Sequence, residues 1–86
     1  LPYYEAMALG RPMVVAERPF AREACQDGAK YADANDAADW VHQLSSLLDS
    51  ESERQALSEK ALARFSVARM SWTQVAEDYL NLLETL

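Results

Sequence analysis

The chain is poor in the residues that build disulfide frameworks and zinc sites. Its 86 residues include one cysteine, Cys25, and one histidine, His42. A lone cysteine excludes a disulfide within the chain and fits a reducing compartment. One Cys and one His are also too few for a zinc site of the usual kind. No apolar run approaches the roughly 18 residues that a membrane span needs. We expect a cytoplasmic protein, in keeping with the lone cysteine.

Basic charge is scarce in the second part of the chain. The net charge is −6, and the acidic excess lies in residues 31–86, because acidic and basic side chains balance in residues 1–30. A nucleic-acid surface would need a basic stripe, so we expect no nucleic-acid partner. The acidic side chains are instead expected on solvated helical faces that favour solubility.

Glycine and proline are also few, and they divide the first third of the chain into short elements. The sequence holds two Gly and three Pro. A proline suits the first position of a helix, and a glycine suits the residue just after its end. Continuously apolar runs such as "MVVA" are typical of strands in a parallel sheet. The predicted elements are a helix from Pro2 to Gly10, a strand over 13–16, a helix from Pro19 to Gln26 and a strand over 29–32.

The remaining residues predict three helices. Asn35 or Asp36 caps the first, Ser50 with Glu53 forms a capping box for the second, and Ser71 with Gln74 repeats the pattern for the third. The apolar stripes expected to be packed are Ala37, Val41, Leu44 and Leu48, then Leu57, Ala61 and Phe65, then Val75, Tyr79, Leu82 and Leu86. Further core residues are expected to be Met7, Met13, Met70, Tyr3, Tyr4 and Cys25.

The element order is therefore α-β-α-β-α-α-α, which indicates an α/β fold. Two short parallel strands cannot form a stable sheet alone, because their edges need neighbours. Strand–helix–strand is the unit of a Rossmann-like parallel sheet. We expect a helix-rich, C-terminal fragment of such a domain, with an α-β-α-β unit over 1–34, a helical tail over 35–86, and the rest of the sheet upstream of residue 1.

The segment "LPYYEAMALGRPMVV" resembles a motif of the retaining GT-B-fold glycosyltransferases of group 1, or family 4. Members read E-G-F-G-L-P-x-x-E-A-M-A-x-G-x-P-V-V-A, and residues 1–12 match its second half, with Glu5 on the second glutamate. "EACQDGAKYAD" resembles the following E-V-x-G-D-A-A-x-x-x-D segment, with Gln26 where Gly is common. Ser71-Trp72 resembles an F-S-W before the closing helix, with "VARM" inserted ahead of it.

This resemblance implies a transferase that moves a sugar from a nucleotide-sugar donor to a sugar, lipid or small-molecule acceptor with retention of configuration. Glu5 would accept hydrogen bonds from the two ribose hydroxyls, and the backbone N–H of Leu1 would face the diphosphate. No cofactor and no metal are implied. Catalytic residues would lie upstream, so these residues alone are expected to be inactive. The last helix, 72–86, would cross to a missing N-terminal domain, and the parent enzyme would associate with the inner face of the membrane or stay free in the cytoplasm.

Two alternatives stay open at the level of sequence. The chain could be a non-catalytic helical interaction module with a degenerate transferase sequence, or belong to a different GT-B-like enzyme such as an epimerase or a phosphorylase. A glutamate eight positions before Glu5 would support the transferase. A phosphorylase would need a lysine that binds pyridoxal phosphate, and no lysine here sits in a suitable motif. Glu5 itself also has a simpler interpretation, as an acid favoured by the helix dipole.

Overall fold

A computed structural model describes residues 2–85, and it confirms the predicted α/β class. The chain forms four α-helices and two strands within this range, with a short 3₁₀ turn at Gln26–Gly28. The elements in chain order are α1 (Pro2–Ala8), β1 (Val14–Ala16), α2 (Pro19–Cys25), β2 (Lys30–Ala32), α3 (Ala37–Leu48) and α4 (Glu51–Glu84). Leu86, which closes the predicted last stripe, lies outside the described residues, as does Leu1.

The two strands pair in parallel, as their apolar sequences predict. Val14 lies opposite Lys30, and Ala16 lies opposite Ala32. The ladder is extended at its carboxyl end, where the Glu17 N–H donates to the Ala32 carbonyl at 2.8 Å. Because α2 connects the two strands, this is the strand–helix–strand unit of a Rossmann-like sheet.

Helix α1 ends at a glycine, in the way its sequence predicts. Gly10 has a φ of 66°, the left-handed conformation that glycine adopts at little cost. Its N–H donates to the Met7 carbonyl at 3.0 Å, and the Arg11 N–H reaches the Ala6 carbonyl at 3.0 Å. This pair of hydrogen bonds is a Schellman motif. The Gly10 carbonyl in turn accepts a hydrogen bond of 2.5 Å from Ser58 Oγ, which ties the turn to α4.

Helix α2 ends one residue earlier than predicted, at a strained position. Gln26 has a φ of 49° and a ψ of −119°, a region that disfavours any side chain with a Cβ atom. Its carbonyl accepts a hydrogen bond of 2.6 Å from the Tyr31 hydroxyl, which helps to hold this conformation. Gln26 is also the residue that stands where the resembling family commonly has glycine, and a glycine would adopt this backbone angle at little cost.

We expect Gln26→Gly to raise the free energy of unfolding by about 1 kcal/mol, since the relief of strain exceeds the added entropy of glycine. For a domain of this size that gain corresponds to a rise in melting temperature of about 4 °C. Calorimetry against Gln26→Ala provides the control, because alanine keeps the Cβ and should give no gain. An equal rise in both variants would show that the backbone angle is not the cause.

Helices α3 and α4 begin where the sequence predicts. Asp36 caps α3, its carboxylate accepting from the N–H groups of Ala38 at 3.0 Å and Asp39 at 3.3 Å. Ser50 caps α4, its hydroxyl accepting from the Glu53 N–H at 3.1 Å. The Glu53 carboxylate does not close the predicted capping box from the other side; it accepts from Ser46 Oγ at 2.7 Å instead.

The predicted break at Ser71 is wrong, because α4 continues through it to Glu84. Residues 51–84 contain no glycine or proline, and the "VARM" segment before Ser71 consists mainly of good helix formers. Thr73, which could have joined a new cap, donates its hydroxyl proton to the Arg69 carbonyl one turn earlier at 2.9 Å. The helical tail therefore consists of two helices instead of three.

The stripe predicted to pack on α3 is also wrong. Val41, Leu44 and Leu48 are exposed, whereas Leu47 is buried and Trp40 is half-buried. The packed face is thus rotated by about 100° from the predicted one, the angle between adjacent helical residues. The prediction followed apolar residues spaced by 4, 3 and 4, and the packed face of α3 nearly satisfies the same spacing. The helix therefore has a second apolar face, which the described residues do not cover.

The core lies between α1, α2 and α4, on one side of the sheet. Its fully buried members include Met7, Cys25 and Ala61. Gly28 allows α4 to approach the 3₁₀ turn closely: a Cβ there would lie 3.2 Å from both Ala61 Cα and Met7 Sδ. On α4, the predicted stripe of Leu57, Ala61 and Phe65 does face the core. Met70, predicted as core, is 71% exposed.

Candidate functional site

The start of α1 lies at the carboxyl edge of the sheet. Two residues separate the end of β1 from the start of α2, and the Phe20 ring of α2 packs on the Tyr3 ring of α1 with centroids 6.3 Å apart. The first turns of the two helices are therefore neighbours. Ligands of open parallel sheets commonly bind outside this edge, where loops and helix starts supply polar groups.

Glu5, the sequence-predicted site residue, lies on the first turn of α1 and is exposed. Within residues 2–85, its carboxylate takes part in no ion pair; the pair found there joins Arg22 and Glu17, with Arg22 Nε 2.8 Å from Glu17 Oε2. A carboxylate in this position is open to a ligand that donates two hydrogen bonds. The second predicted site residue, Leu1, lies outside the described residues.

An apolar hollow of about 520 Å³ adjoins the start of α1. Tyr3, Tyr4 and Phe20 form its aromatic wall, and Arg64 of α4 forms its floor. Both tyrosines also pack against the core, as predicted. An aromatic wall of this kind suits the flat faces of rings, and it lies one turn or less from Glu5 along α1.

A second hollow, of about 420 Å³, lies at the carboxyl ends of both strands and is polar. The Arg22 guanidinium sits 3.7 Å from the centroid of the Tyr31 ring, and its Nε donates to the Glu17 carboxylate at 2.8 Å. The hydrogen bond from Arg22 to Glu17 raises the pKa of the guanidinium, and burial raises the pKa of the Tyr31 hydroxyl. Arg22 and Glu17 are thus paired with each other, whereas Arg18, which lines the same hollow, forms no ion pair within residues 2–85.

Asp39 closes the same hollow from α3. Its carboxylate accepts the Asp33 N–H at 2.8 Å and the Gln43 side-chain amide at 3.4 Å. These two hydrogen bonds lower the pKa of the Asp39 carboxyl, the Asp33 N–H being the larger cause. Asp39 therefore stays ionised and fixes the loop after β2, which makes it a structural group.

Cys25 and Arg64 join α2 to α4 below the apolar hollow. Cys25 is fully buried, as predicted, and burial raises the pKa of its thiol although nearby Arg64 acts in the opposite direction. A buried thiol with a raised pKa is a poor nucleophile. Arg64 donates to the carbonyls of Ala24 at 2.9 Å and Glu23 at 3.0 Å, and so satisfies the last turn of α2.

We expect Arg64→Met to lower the free energy of unfolding by about 1–2 kcal/mol, because the aliphatic stem remains while two charge-assisted hydrogen bonds are lost. A shift of the urea midpoint measures the loss. Lys60→Met, at an exposed position of the same helix, is the matched control and should leave the midpoint almost unchanged. Equal midpoints for the two variants would contradict the role given to Arg64.

The sequence does not predict which side chains surround the start of α1. Tyr3 and Tyr4 were assigned to packing, which is correct, but nothing local in the chain shows that Phe20 and Arg64 line the same hollow. The Tyr3–Phe20 contact joins residues 17 positions apart, and Arg64 lies on a different helix. Among the residues that the structure describes, no three His, Cys, Asp or Glu side chains form an arrangement that could hold a metal ion.

Comparison with known proteins gives one positive result. A sequence model described as "glycosyl transferase-like" matches residues 1–81. No curated protein matches the chain, and no solved structure does either. Across residues 2–85, none of the helices is long and apolar enough to cross a membrane. Since the match covers nearly the whole chain, this protein belongs to the glycosyl transferase-like family.

Proposed function

We propose that this chain forms part of the nucleotide-sugar site of a retaining glycosyltransferase with the GT-B fold. In this proposal Glu5 accepts hydrogen bonds from the two ribose hydroxyls of the donor, and the backbone at Leu1 faces the diphosphate. The transferred sugar goes to a sugar, lipid or small-molecule acceptor. No metal or further cofactor takes part.

One observation carries the proposal: the Tyr3–Phe20 contact brings the first turn of α1 to the carboxyl edge of the sheet, in a member of the glycosyl transferase-like family. Glu5 is exposed on that turn. A carboxylate is acceptor-only and can take a vicinal diol with its two oxygens, which is the chemistry that ribose recognition needs.

The role proposed for this chain is binding, and the chemical step is assigned to residues outside it. Departure of a nucleoside diphosphate requires stabilisation of the charge that develops on the leaving phosphate oxygens. We therefore propose that a longer parent enzyme supplies the basic groups, and that residues 2–85 hold the nucleoside end of the donor. The chain by itself is then a weak binder without turnover.

Titration of the ¹⁵N-labelled chain with UDP, GDP and ADP tests the proposal by NMR. We expect millimolar binding of at least one nucleotide, with amide shifts concentrated on α1 and on the loop after β1. Inorganic phosphate at equal concentration is the control and should not reproduce the shifts, since it has no ribose. Shifts absent for all three nucleotides, or equal for phosphate, would contradict the assignment of α1 to the ribose.

A non-catalytic interaction module is the second candidate, and the exposed apolar side chains of α4 favour it. Trp72, Val75, Tyr79 and Leu82 all project from the helix into solvent, as expected from the sequence for a stripe covered from elsewhere. Under the transferase proposal, residues 72–86 would pack on another domain of the parent. The nucleotide titration separates the two functions, because an interaction module has no reason to bind ribose.

A further inference from the structure

The second hollow at the carboxyl edge of the sheet, which we call the polar hollow, is not used by the proposed nucleotide site. Its volume of about 420 Å³ is in the usual range of small-molecule sites, about 300–1,000 Å³. The loop after β1 and the loop after β2 both line it, through residues 17–18 and 33–35. Loops that follow neighbouring parallel strands form the crevice in which ligands of such sheets commonly bind.

Helix α2 separates the polar hollow from the apolar hollow at the start of α1. Phe20 and Ala24, one turn apart on α2, line the apolar hollow, whereas Arg22 lines the polar one. Arg22 is two residues from each of them, about 200° around the helix axis, and so projects from the other side of α2. A molecule in the polar hollow therefore lies across α2 from a nucleoside held by Glu5.

The polar side chains of this hollow are already held in place by the protein. Arg22 donates to the Glu17 carboxylate and lies over the Tyr31 ring. The Asp33 carboxylate accepts from the Asn35 N–H at 2.9 Å, which fixes the loop after β2. A ligand that binds here orders few side chains, so the entropic cost of its binding is low.

The same groups keep hydrogen-bonding capacity for a ligand. Within residues 2–85, the hydrogen bonds from Arg22 to Glu17 use only the Nε atom, so the terminal nitrogens of the guanidinium keep their donors. Arg18 forms no ion pair in the same range. On the acceptor side, Asp33 uses Oδ1 for the Asn35 N–H and keeps Oδ2. The hollow thus offers donors and acceptors together.

The charges that line the polar hollow select the class of ligand. They nearly cancel, since Arg18 and Arg22 stand against Glu17, Asp33 and Asp39. An anionic ligand would approach the carboxylates and a cationic ligand would approach the guanidinium groups, so either loses part of its attraction. A neutral ligand rich in hydroxyl groups meets no such repulsion, and each hydroxyl both donates and accepts. A sugar ring is a ligand of this kind.

We propose that the polar hollow binds a neutral sugar, with Arg18 and Arg22 donating to its hydroxyl oxygens and Asp33 accepting from its hydroxyl groups. Because the Arg22 guanidinium covers a face of the Tyr31 ring, hydrogen bonds hold this sugar in place of stacking. The role of the sugar rests on the proposed function, which leaves the acceptor open among a sugar, a lipid and a small molecule. The polar hollow assigns the acceptor to the saccharides.

Titration of the ¹⁵N-labelled full chain with the methyl glycosides of glucose, mannose and galactose tests this site by NMR. We expect millimolar binding of at least one, with amide shifts concentrated on residues 17–18 and 33–35. The methyl glycosides of glucuronic acid and glucosamine are the charged probes, and each should bind at least about threefold more weakly than the best neutral one. Tighter binding of a charged probe, or no shift at these amides with any neutral glycoside, would overturn the proposal.

Arg18→Ala should weaken binding of the neutral glycoside at least about fivefold, because it removes a charged donor to the sugar. Arg18 is exposed and forms no ion pair within residues 2–85, so the fold should be kept. Arg11→Ala is the matched control: Arg11 is also exposed but precedes β1, at the opposite edge of the sheet, and its removal should leave the affinity almost unchanged. Equal effects of the two substitutions would contradict the site.

The amides of residues 33–35 separate this proposal from the nucleotide site. Nucleotides are expected to shift α1 and the loop after β1, so either proposal can fail while the other stands. UDP-glucose is compared with UDP to identify the molecule that carries the sugar. Glycoside shifts at 33–35 that persist in saturating UDP-glucose support the acceptor. Displacement of the glycoside by UDP-glucose but not by UDP would overturn the acceptor role and give the hollow to the transferred sugar.

Discussion

Met7→Ala is expected to lower the free energy of unfolding by about 3 kcal/mol. Met7 is fully buried in the cluster that joins α1 to α2 and α4. Truncation removes buried methylene and sulfur atoms and leaves a cavity beside Gly28, at a point where α4 cannot move closer because Ala61 already touches the turn. Since the free energy of unfolding of small domains is only about 5–15 kcal/mol, the variant loses a large share of its stability.

Urea unfolding at fixed protein concentration measures this loss, and the chain provides its own control. Met70 is 71% exposed on α4, so Met70→Ala should change the free energy of unfolding by no more than about 0.5 kcal/mol. The comparison also checks the fold itself, since the sequence assigned both methionines to the core. Similar losses for the two variants would mean that α4 packs differently around residue 70.

Glu5→Ala is expected to weaken donor binding about a hundredfold in the longer glycosyltransferase that we propose as the parent of this chain. Two charge-assisted hydrogen bonds to the ribose would be lost, each worth about 1.5–3 kcal/mol, and part of that sum returns as hydration of the free hydroxyls. Glu5→Gln should lose less, because one acceptor oxygen remains. Calorimetric titration with the nucleotide donor measures the affinities.

Glu23→Ala is the matched control for Glu5, because Glu23 is an exposed glutamate of α2 that lines the apolar hollow. Glu23→Ala removes the same charge at a short distance from the proposed ribose position. The donor affinity of this variant should stay within about twofold of the affinity of the unchanged protein. Equal losses in the two variants would indicate a general charge effect. Donor affinity unchanged by Glu5→Ala would remove Glu5 from the site.

Local signals in the sequence were sufficient for most of the secondary structure. Gly10, Asp36 and Ser50 each end or begin a helix through their own backbone angle or side chain, and such effects depend on a few neighbouring residues. Ser71 failed as a start signal because a cap is needed only where the preceding helix ends. Nothing between Phe65 and Ser71 ends α4, so the Ser71–Gln74 motif lies within the helix instead of starting a new one.

Tertiary features were less accessible to sequence reasoning. The packed face of α3 was missed because Leu47 and Leu48 are adjacent, and the spacing of apolar residues accommodates either one. Glu5 was predicted as a site residue through a family resemblance, and its local sequence alone would equally describe an acid placed by the helix dipole. Its proximity to the carboxyl edge follows from the contact between Tyr3 and Phe20, which no local pattern encodes.

The continuity of α4 gives the molecule a mechanical property. A helix of 34 residues without glycine or proline bends little, so its two halves move together as a rod. The inner half is clamped at the close contact between Gly28 and Ala61, while the outer half extends beyond Ala68. A tilt of about 10° at the clamp carries Thr85 through roughly 6 Å, given the rise of the helix. A small change in packing around Gly28 therefore produces a larger displacement of the far end of α4. In the opposite direction, a force applied at that end is transmitted to the 3₁₀ turn beside α2.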